Sequence, residues 1–154
     1  MKSPLLKNIL AAVMGYVVMF AVSFPLFALM WTTLGAEGSF DPGSWRVTGP
    51  WIAGAIGLGT IVSICGGFSC SKLAASRQGV AILVGFVVMF GLLGIVSGMP
   101  DAAAALGRPA DVSMFDAMTS AQQPPWMLWL NPVMGVIGVA FGAALETGKA
   151  PWRE

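Results

Sequence analysis

The chain has 154 residues, of which 56% are hydrophobic and only 10% are charged, and its formal net charge at pH 7 is +1. Ordinary soluble domains are about a quarter charged, so this composition, with a mean hydropathy of +0.80, argues against a water-soluble fold and predicts an integral membrane protein. The near-neutral charge gives no sign of a nucleic-acid partner, and the absence of histidine removes the usual metal ligand and acid–base group.

Four apolar stretches are long enough to cross a hydrocarbon core of about 30 Å as helices. They contain no Asp, Glu, Lys or Arg, and they are continuous, unlike the strands of about ten residues in a membrane barrel. Lipid leaves helices as the way to satisfy the backbone of such segments. We therefore predict an all-α bundle of four transmembrane helices in a single membrane domain (residues 1–154), with spans at roughly 9–34, 50–71, 79–99 and 126–145.

The first predicted helix begins with a segment that recurs in the third. Residues 7–20 (KNILAAVMGYVVMF) align with residues 77–90 (RQGVAILVGFVVMF). Six of these fourteen positions are identical, namely Ala11/Ala81, Gly15/Gly85, Val17/Val87, Val18/Val88, Met19/Met89 and Phe20/Phe90. The second and fourth helices match more weakly: each begins with Pro-Trp, at Pro50 and Pro125, and a one-residue slip places Gly59 and Gly66 on Gly135 and Gly142. Self-similarity indicates architecture, so we predict two tandem hairpins, with repeat units at roughly 7–72 and 77–148.

Basic residues are distributed unequally between the two ends of the predicted helices. Two of them, Arg46 and Arg108, lie in the connections within each hairpin, and six lie at the other end: Lys2, Lys7, Lys72, Arg77, Lys149 and Arg153. Positively charged loops stay in the cytoplasm, so we expect both termini inside, in a bacterial inner membrane. Both repeats then run outward first, which makes them parallel repeats related by a pseudo-twofold axis along the membrane normal.

Small residues recur at four-residue spacing along three of the predicted helices. They are Ala55, Gly59, Ser63 and Gly67 in the second helix, Gly94 and Gly98 in the third, and Gly138 and Gly142 in the fourth. Small side chains allow helix backbones to approach closely in a membrane. We therefore predict that these residues form packing surfaces and that the second helix is the central, most buried one.

Two prolines interrupt predicted spans and are expected to kink them. Pro25 lies in the first span and Pro132 in the fourth, each in the outer half. The neighbouring polar residues Ser23 and Asn131 have two interpretations. They repair the backbone locally by bonding to freed carbonyl groups, or they line a shallow cavity that opens to the outside.

The second external connection, residues 100–125, contains a short pattern typical of a surface helix. Val112, Phe115 and Met118 recur every three residues, a spacing that predicts a helix lying on the outer leaflet. Asp111 precedes this pattern, and we expect it to cap the helix.

Few side chains in the predicted spans carry reactive chemistry. Cys65 and Cys70 are too far apart along a helix for a disulfide, and we interpret both as small packing residues. Glu146 ends the fourth helix, where a carboxylate is unfavourable, so we expect it to pair with Lys149 or Lys72. The alternative is a proton-accepting group at a cytoplasmic vestibule.

The sequence favours a protein without catalytic activity and without a cofactor, metal or nucleotide, whose surroundings are the lipid bilayer. Our first hypothesis is a structural or interaction subunit that associates laterally through its small-residue faces, as a homo-oligomer or within a membrane complex. The alternative is a small transporter or channel with its pathway at the pseudo-twofold interface between the repeats. Its polar lining would then be Thr60, Ser63, Asn131 and Glu146.

Overall fold

A computed structural model describes residues 3–97, 107–109 and 111–148 of the chain. Over these ranges the fold is all-helical, and its long helices are α1 (Pro4–Ser39), α2 (Gly49–Leu73), α3 (Gln78–Ser97) and α5 (Pro125–Thr147), with the short α4 (Met114–Ser120) before α5. The four long helices are long and apolar enough to cross a membrane. The predicted all-helical fold with four apolar spans is thus confirmed, and it fits a multi-pass membrane protein. Predictions for Lys2, Gly98, Lys149 and Arg153 fall outside the described residues.

α1 and α2 each begin where a hydroxyl side chain caps the helix and a proline follows in the first turn. The Ser3 hydroxyl accepts a hydrogen bond from the Leu6 N–H at 3.3 Å, and the Thr48 hydroxyl accepts one from the Trp51 N–H at 3.4 Å. Proline occupies the first turn in α1, α2 and α5, where its missing N–H costs nothing. The predicted start of α2 and α5 at Pro-Trp is therefore where each helix begins.

α1 is longer than the predicted span because its last turn continues past a break at Gly35. This residue has φ 61° and ψ −174°, a conformation open to glycine because it lacks a Cβ atom. The final turn ends when the Phe40 N–H donates to the Ala36 carbonyl at 3.0 Å. The connection to α2 then forms the turn at Asp41, where the Ser44 N–H donates to the Asp41 carbonyl at 3.0 Å.

The long helices are arranged around the bundle in the order α1, α2, α5, α3. α2 packs against α1 and α5, α3 packs against the same two helices from the other side, and α2 also meets α3 across the middle. α2 and α3 therefore each contact all three of the other long helices, and the central, most buried position of α2 stays a prediction. We call the end of the bundle with residues 35–48 and 107–124 the loop end, and the end with residues 74–77 the turn end.

α2 and α5 cross with their backbones in contact. A Cβ atom on Gly67 would overlap the backbone of Val139, and one on Gly142 would overlap the carbonyl oxygen of Ile64. The two contacts map onto one another with a shift of 75 positions, the shift that also relates Pro50-Trp51 to Pro125-Trp126. The one-residue slip in the sequence alignment is therefore not needed at this crossing, which we call the glycine crossing.

The other predicted packing residues divide into two groups. Gly138 lies against the Ser63 side chain, beside the glycine crossing, with 2.6 Å between its would-be Cβ atom and the Ser63 Cβ atom. Gly59 and Gly94 have no atom within 4 Å of a would-be Cβ, so neither packs against another helix of the chain. The open position of Gly59 differs from the expected packing. Successive residues of the four-residue row in α2 lie progressively further around the helix, so the loop-end members of the row face open space. Ala55 faces that space too, as part of a cavity lining.

At the turn end a single buried asparagine joins α1 to the turn between α2 and α3. Asn8 is 1% exposed. Its side-chain oxygen accepts hydrogen bonds from the N–H groups of Ala75 at 2.9 Å and Ser76 at 3.2 Å. Its amide nitrogen donates to the Ser76 hydroxyl at 2.9 Å and to the Gln78 side-chain oxygen at 3.4 Å. One side chain thus satisfies two backbone donors of the turn.

Candidate functional site

The four long helices line a half-open cavity of about 370 Å³ on the loop-end side of the glycine crossing. This volume lies within the range of small-molecule sites, roughly 300–1,000 Å³. Aromatic and thioether side chains contribute a large part of the wall: Tyr16, Met19, Phe27, Trp51, Phe90, Met127 and Met134. We call it the central cavity.

Polar side chains predicted as a lining meet in the central cavity, with one exception. Thr60, Ser63 and Asn131 all line it, and Glu146 does not. The Thr60 hydroxyl donates to the Ile56 carbonyl at 2.7 Å, and the Ser63 hydroxyl donates to the Gly59 carbonyl at 2.8 Å. Because both hydroxyl groups donate their protons to carbonyl groups of α2, they can act only as hydrogen-bond acceptors toward a molecule in the cavity.

Asn131 has a different role from local repair of the helix. Its amide nitrogen donates to the Gln123 side-chain oxygen at 3.1 Å, which links α5 to the segment before it. The carbonyl freed by Pro132 belongs to Leu128 and is not its partner. Likewise, the Ser23 hydroxyl donates to the Phe20 carbonyl at 2.7 Å and not to the carbonyl freed by Pro25. Asn131 therefore belongs to the cavity, and the repair interpretation does not describe it.

The cavity exists because small residues face the bundle interior above the glycine crossing. Gly59 and Ala55 of α2 leave space that larger side chains would fill, and a Cβ on Gly59 would have no atom within 4 Å. On the opposite side, Gly91 of α3 packs against the ring of Pro132, with 2.6 Å between the would-be Cβ and the proline Cβ. The contact between α3 and α5 thus forms one wall of the cavity, and the small residues of α2 leave the space in front of it.

The segment before α5 covers the loop end. The Arg108 guanidinium forms an ion pair with Glu37 at 2.6 Å, its side chain is 3% exposed, and it lies 5.9 Å above the centre of the Phe40 ring. Backbone hydrogen bonds also join the two connections, from the Arg108 N–H to the Gly43 carbonyl at 3.0 Å and from the Gln122 N–H to the Trp45 carbonyl at 2.9 Å. The second connection is thereby fixed onto the first.

The short helix predicted in that segment is confirmed as α4, but its cap is not the expected Asp111. The helix begins after Ser113, and not after Asp111. The Ser113 hydroxyl accepts from the Asp116 N–H at 3.1 Å, while the Asp116 carboxylate accepts from the Ser113 N–H at 3.1 Å. This reciprocal capping box satisfies two backbone donors, which a lone Asp111 cap would not. Ala117 of α4 is fully buried against the aromatic cluster around Phe40.

A second cavity of about 560 Å³ opens at the turn end between α2, α3 and α5. Small residues line most of it, and Glu146 lies at its polar end, where its carboxylate accepts a hydrogen bond from the Ser71 hydroxyl at 3.1 Å. Lys72, one of the two expected partners of Glu146, forms no ion pair with it, and Arg108–Glu37 is the one ion pair in the described ranges. Lys149 lies outside them.

A tightly packed layer separates the two cavities, which share no lining residue. It consists of the glycine crossing together with fully buried side chains from each long helix: Ala12, Cys70, Leu83 and Val139. The Cys70 thiol is free and is part of this packing, while Cys65 is free and half-buried.

Sequence reasoning missed several residues of the site. Trp51 stands at the start of a span, where a tryptophan normally marks the membrane boundary, yet it is 6% exposed and lines the cavity. Tyr16, the one tyrosine of the chain, and Gln123 also line it. The repeat could have drawn attention to Tyr16, because the equivalent position of the second repeat holds a phenylalanine, Phe86, without a hydroxyl group.

The chemistry on offer is non-covalent binding. Among the described residues no three His, Cys, Asp or Glu side chains gather into a metal site. The cavity wall has no carboxylate, amine or thiol. No family model, no curated protein and no solved structure matches this chain.

Proposed function

We propose that this protein is a small membrane transporter that binds its substrate in the central cavity. The observation that carries the proposal is the pair of cavities at opposite ends of the bundle, separated by one packed layer. A transporter exposes its binding site to one side at a time, and a blind cavity lined by all four helices has the form of one such state. The gathering of Thr60, Ser63 and Asn131 there supports the same function.

The architecture that we propose is two tandem hairpins, α1–α2 and α3–α5, related by a pseudo-twofold axis. Residues that a twofold axis exchanges can touch each other only beside that axis. Ser71 and Glu146 are 75 positions apart and are hydrogen-bonded. Asn8 and Gln78 are 70 positions apart, the spacing of the first-helix repeat, and are also in contact. Substrate sites of transporters lie at such repeat interfaces.

The orientation that we propose places the turn end in the cytoplasm of a bacterial cell and the loop end outside. Its support is the excess of lysine and arginine at the turn end, which includes Lys7, Lys72 and Arg77. The central cavity then lies in the outer half of the membrane, and the turn-end cavity with Glu146 lies in the inner half.

Cysteine labelling from each side of the membrane tests both function and orientation. In a Cys65→Ala, Cys70→Ala background, a Thr60→Cys thiol in the cavity is expected to react with a membrane-impermeant maleimide in intact cells and in inside-out vesicles. A transporter exposes this position to both sides in turn, whereas a static subunit does not. A Gly85→Cys thiol on the exposed face of α3 should stay unlabelled, because thiolates do not form in lipid.

Two exposed positions provide the orientation standards for that experiment. An Asp111→Cys thiol at the loop end should react only from outside, and an Arg77→Cys thiol at the turn end only from inside. If Thr60→Cys is labelled from neither side or from one side alone, the transport proposal fails. If the two standards exchange sides, the orientation is inverted.

A second function, lateral association as a structural subunit, is favoured by one feature of α3. Ala81 and Gly85 are exposed on its outward face with four-residue spacing, and no atom lies within 4 Å of a would-be Cβ on Gly85. Of the glycines first expected to mediate association, Gly67, Gly138 and Gly142 are used inside the chain, whereas Gly94 on α3 faces open space. An oligomer in nanodiscs that becomes a monomer on Gly85→Leu replacement would support this function, and an unchanged mass would oppose it.

A further inference from the structure

We infer that the central cavity takes a neutral, ring-containing apolar molecule. The inference rests on the proposed function in that it concerns the same cavity, but it does not require transport. It follows from two properties of the wall, which are its lack of charged side chains and its aromatic and thioether surface.

The wall excludes charged ligands. No acidic or basic side chain lines the central cavity. Arg108 does not line the cavity and pairs with Glu37 through one guanidinium nitrogen, and Glu146 lies in the other cavity. An ion moved from water into an apolar site without a partner of opposite charge loses far more hydration energy than it regains. The preferred ligand is therefore neutral.

The side chains of the wall favour a ring system. Tyr16, Phe27, Trp51 and Phe90 supply aromatic rings from three different helices. Aromatic pairs in offset or edge-to-face contact gain about 0.5–1.5 kcal/mol beyond their buried area. The remaining apolar wall includes three methionines, whose flexible and polarisable thioethers adapt to irregular shapes: Met19, Met127 and Met134.

A matched pair of dyes tests this ligand class. The first is 6-propionyl-2-(dimethylamino)naphthalene, which is neutral and carries a ketone, and the second has a sulfonate in place of the propionyl group. Binding is measured as quenching of tryptophan fluorescence in nanodiscs. Gly59→Leu is expected to weaken binding of the ketone dye at least about tenfold, because the leucine side chain would occupy the space that Gly59 leaves in the cavity.

Gly57→Leu is the matched control. Gly57 lies two residues away on α2, also has no atom within 4 Å of a would-be Cβ, and does not line the cavity. Dye dissolved in lipid contributes equally to both variants, so the difference between them reports cavity binding. We expect the ketone to bind this variant as it binds the parent protein, and the sulfonate to show no difference between the two variants.

Sulfonate binding that depends on Gly59 would overturn the neutral class but keep the cavity as a site. If neither dye depends on Gly59, the inference fails, and the labelling of Thr60→Cys still judges transport independently.

Discussion

Replacing Gly67 by alanine is expected to lower the thermal unfolding midpoint of the detergent-solubilised protein clearly, even though alanine is the better helix former. The added methyl group would overlap the backbone of Val139. A flexible side chain could move aside, but a helix backbone cannot do so without separating α2 from α5. Overpacking of this kind costs about 1–3 kcal/mol, and it is larger where the obstacle is rigid. Gly67→Leu should prevent the fold from forming.

Two further glycines give this experiment its controls. Gly142→Ala should cost about as much as Gly67→Ala, because its methyl group meets the carbonyl of Ile64 in an equivalent contact. Gly57 lies on the same helix as Gly67 but faces open space. Gly57→Ala should leave the midpoint unchanged or raise it, because alanine is favoured over glycine in a helix by about 0.8–1 kcal/mol. Equal midpoints for Gly67→Ala and Gly57→Ala would contradict the glycine crossing.

Replacing Asn8 by leucine is expected to produce the second large loss of stability. The N–H groups of Ala75 and Ser76 would lose their acceptor while the site stays buried. Each buried donor left without a partner costs about 1–3 kcal/mol. The two losses together should lower the unfolding midpoint and make the turn between α2 and α3 the first region cleaved by protease.

Asn8→Asp separates the acceptor from the donor function of this side chain. The carboxylate still accepts from both backbone N–H groups, but it no longer donates to Ser76 or Gln78. Its destabilisation should therefore be smaller than that of Asn8→Leu. Gln78→Ala removes only an exposed partner at 3.4 Å and should have little effect. If Asn8→Leu is as stable as Gln78→Ala, the asparagine does not hold the turn.

The sequence was sufficient for features that depend on one segment alone. Helix length, apolar composition and the Pro-Trp starts of α2 and α5 are local, and each agrees with the structure. The repeat of residues 7–20 is also visible without coordinates. These properties are fixed by backbone hydrogen bonding and by the solvent around a single helix.

Features that depend on which helix faces which were harder to predict. Gly59 and Gly67 are both glycines in the same row of small residues at four-residue spacing. Gly59 nevertheless faces a cavity, whereas Gly67 contacts the backbone of another helix. The difference comes from where α5 crosses α2, and the sequence of α2 does not contain that information. Arg108 was counted only as a surface charge, whereas its side chain is 3% exposed because the loop-end connections fold over it.

Cavity residues show a similar division. Thr60, Ser63 and Asn131 were accessible to prediction because polar groups in apolar spans are conspicuous. Trp51 was not, since a tryptophan at the start of a span normally marks the membrane boundary. Glu146 was grouped with the others by polarity alone, and its depth at the far end of α5 assigns it to the other cavity.

The glycine crossing has a mechanical consequence. Backbone contact at one level fixes the distance between the two hairpins there. A relative rotation of the hairpins would also have to break the hydrogen bonds and the ion pair that join their connections at the loop end, and the hydrogen bonds of Asn8 and Glu146 at the turn end. The crossing is then a fulcrum: a rotation of one hairpin against the other that widens the bundle at the loop end narrows it at the turn end. Because Gly67 and Gly142 have no side chains, the two helix backbones are in direct contact at this pivot.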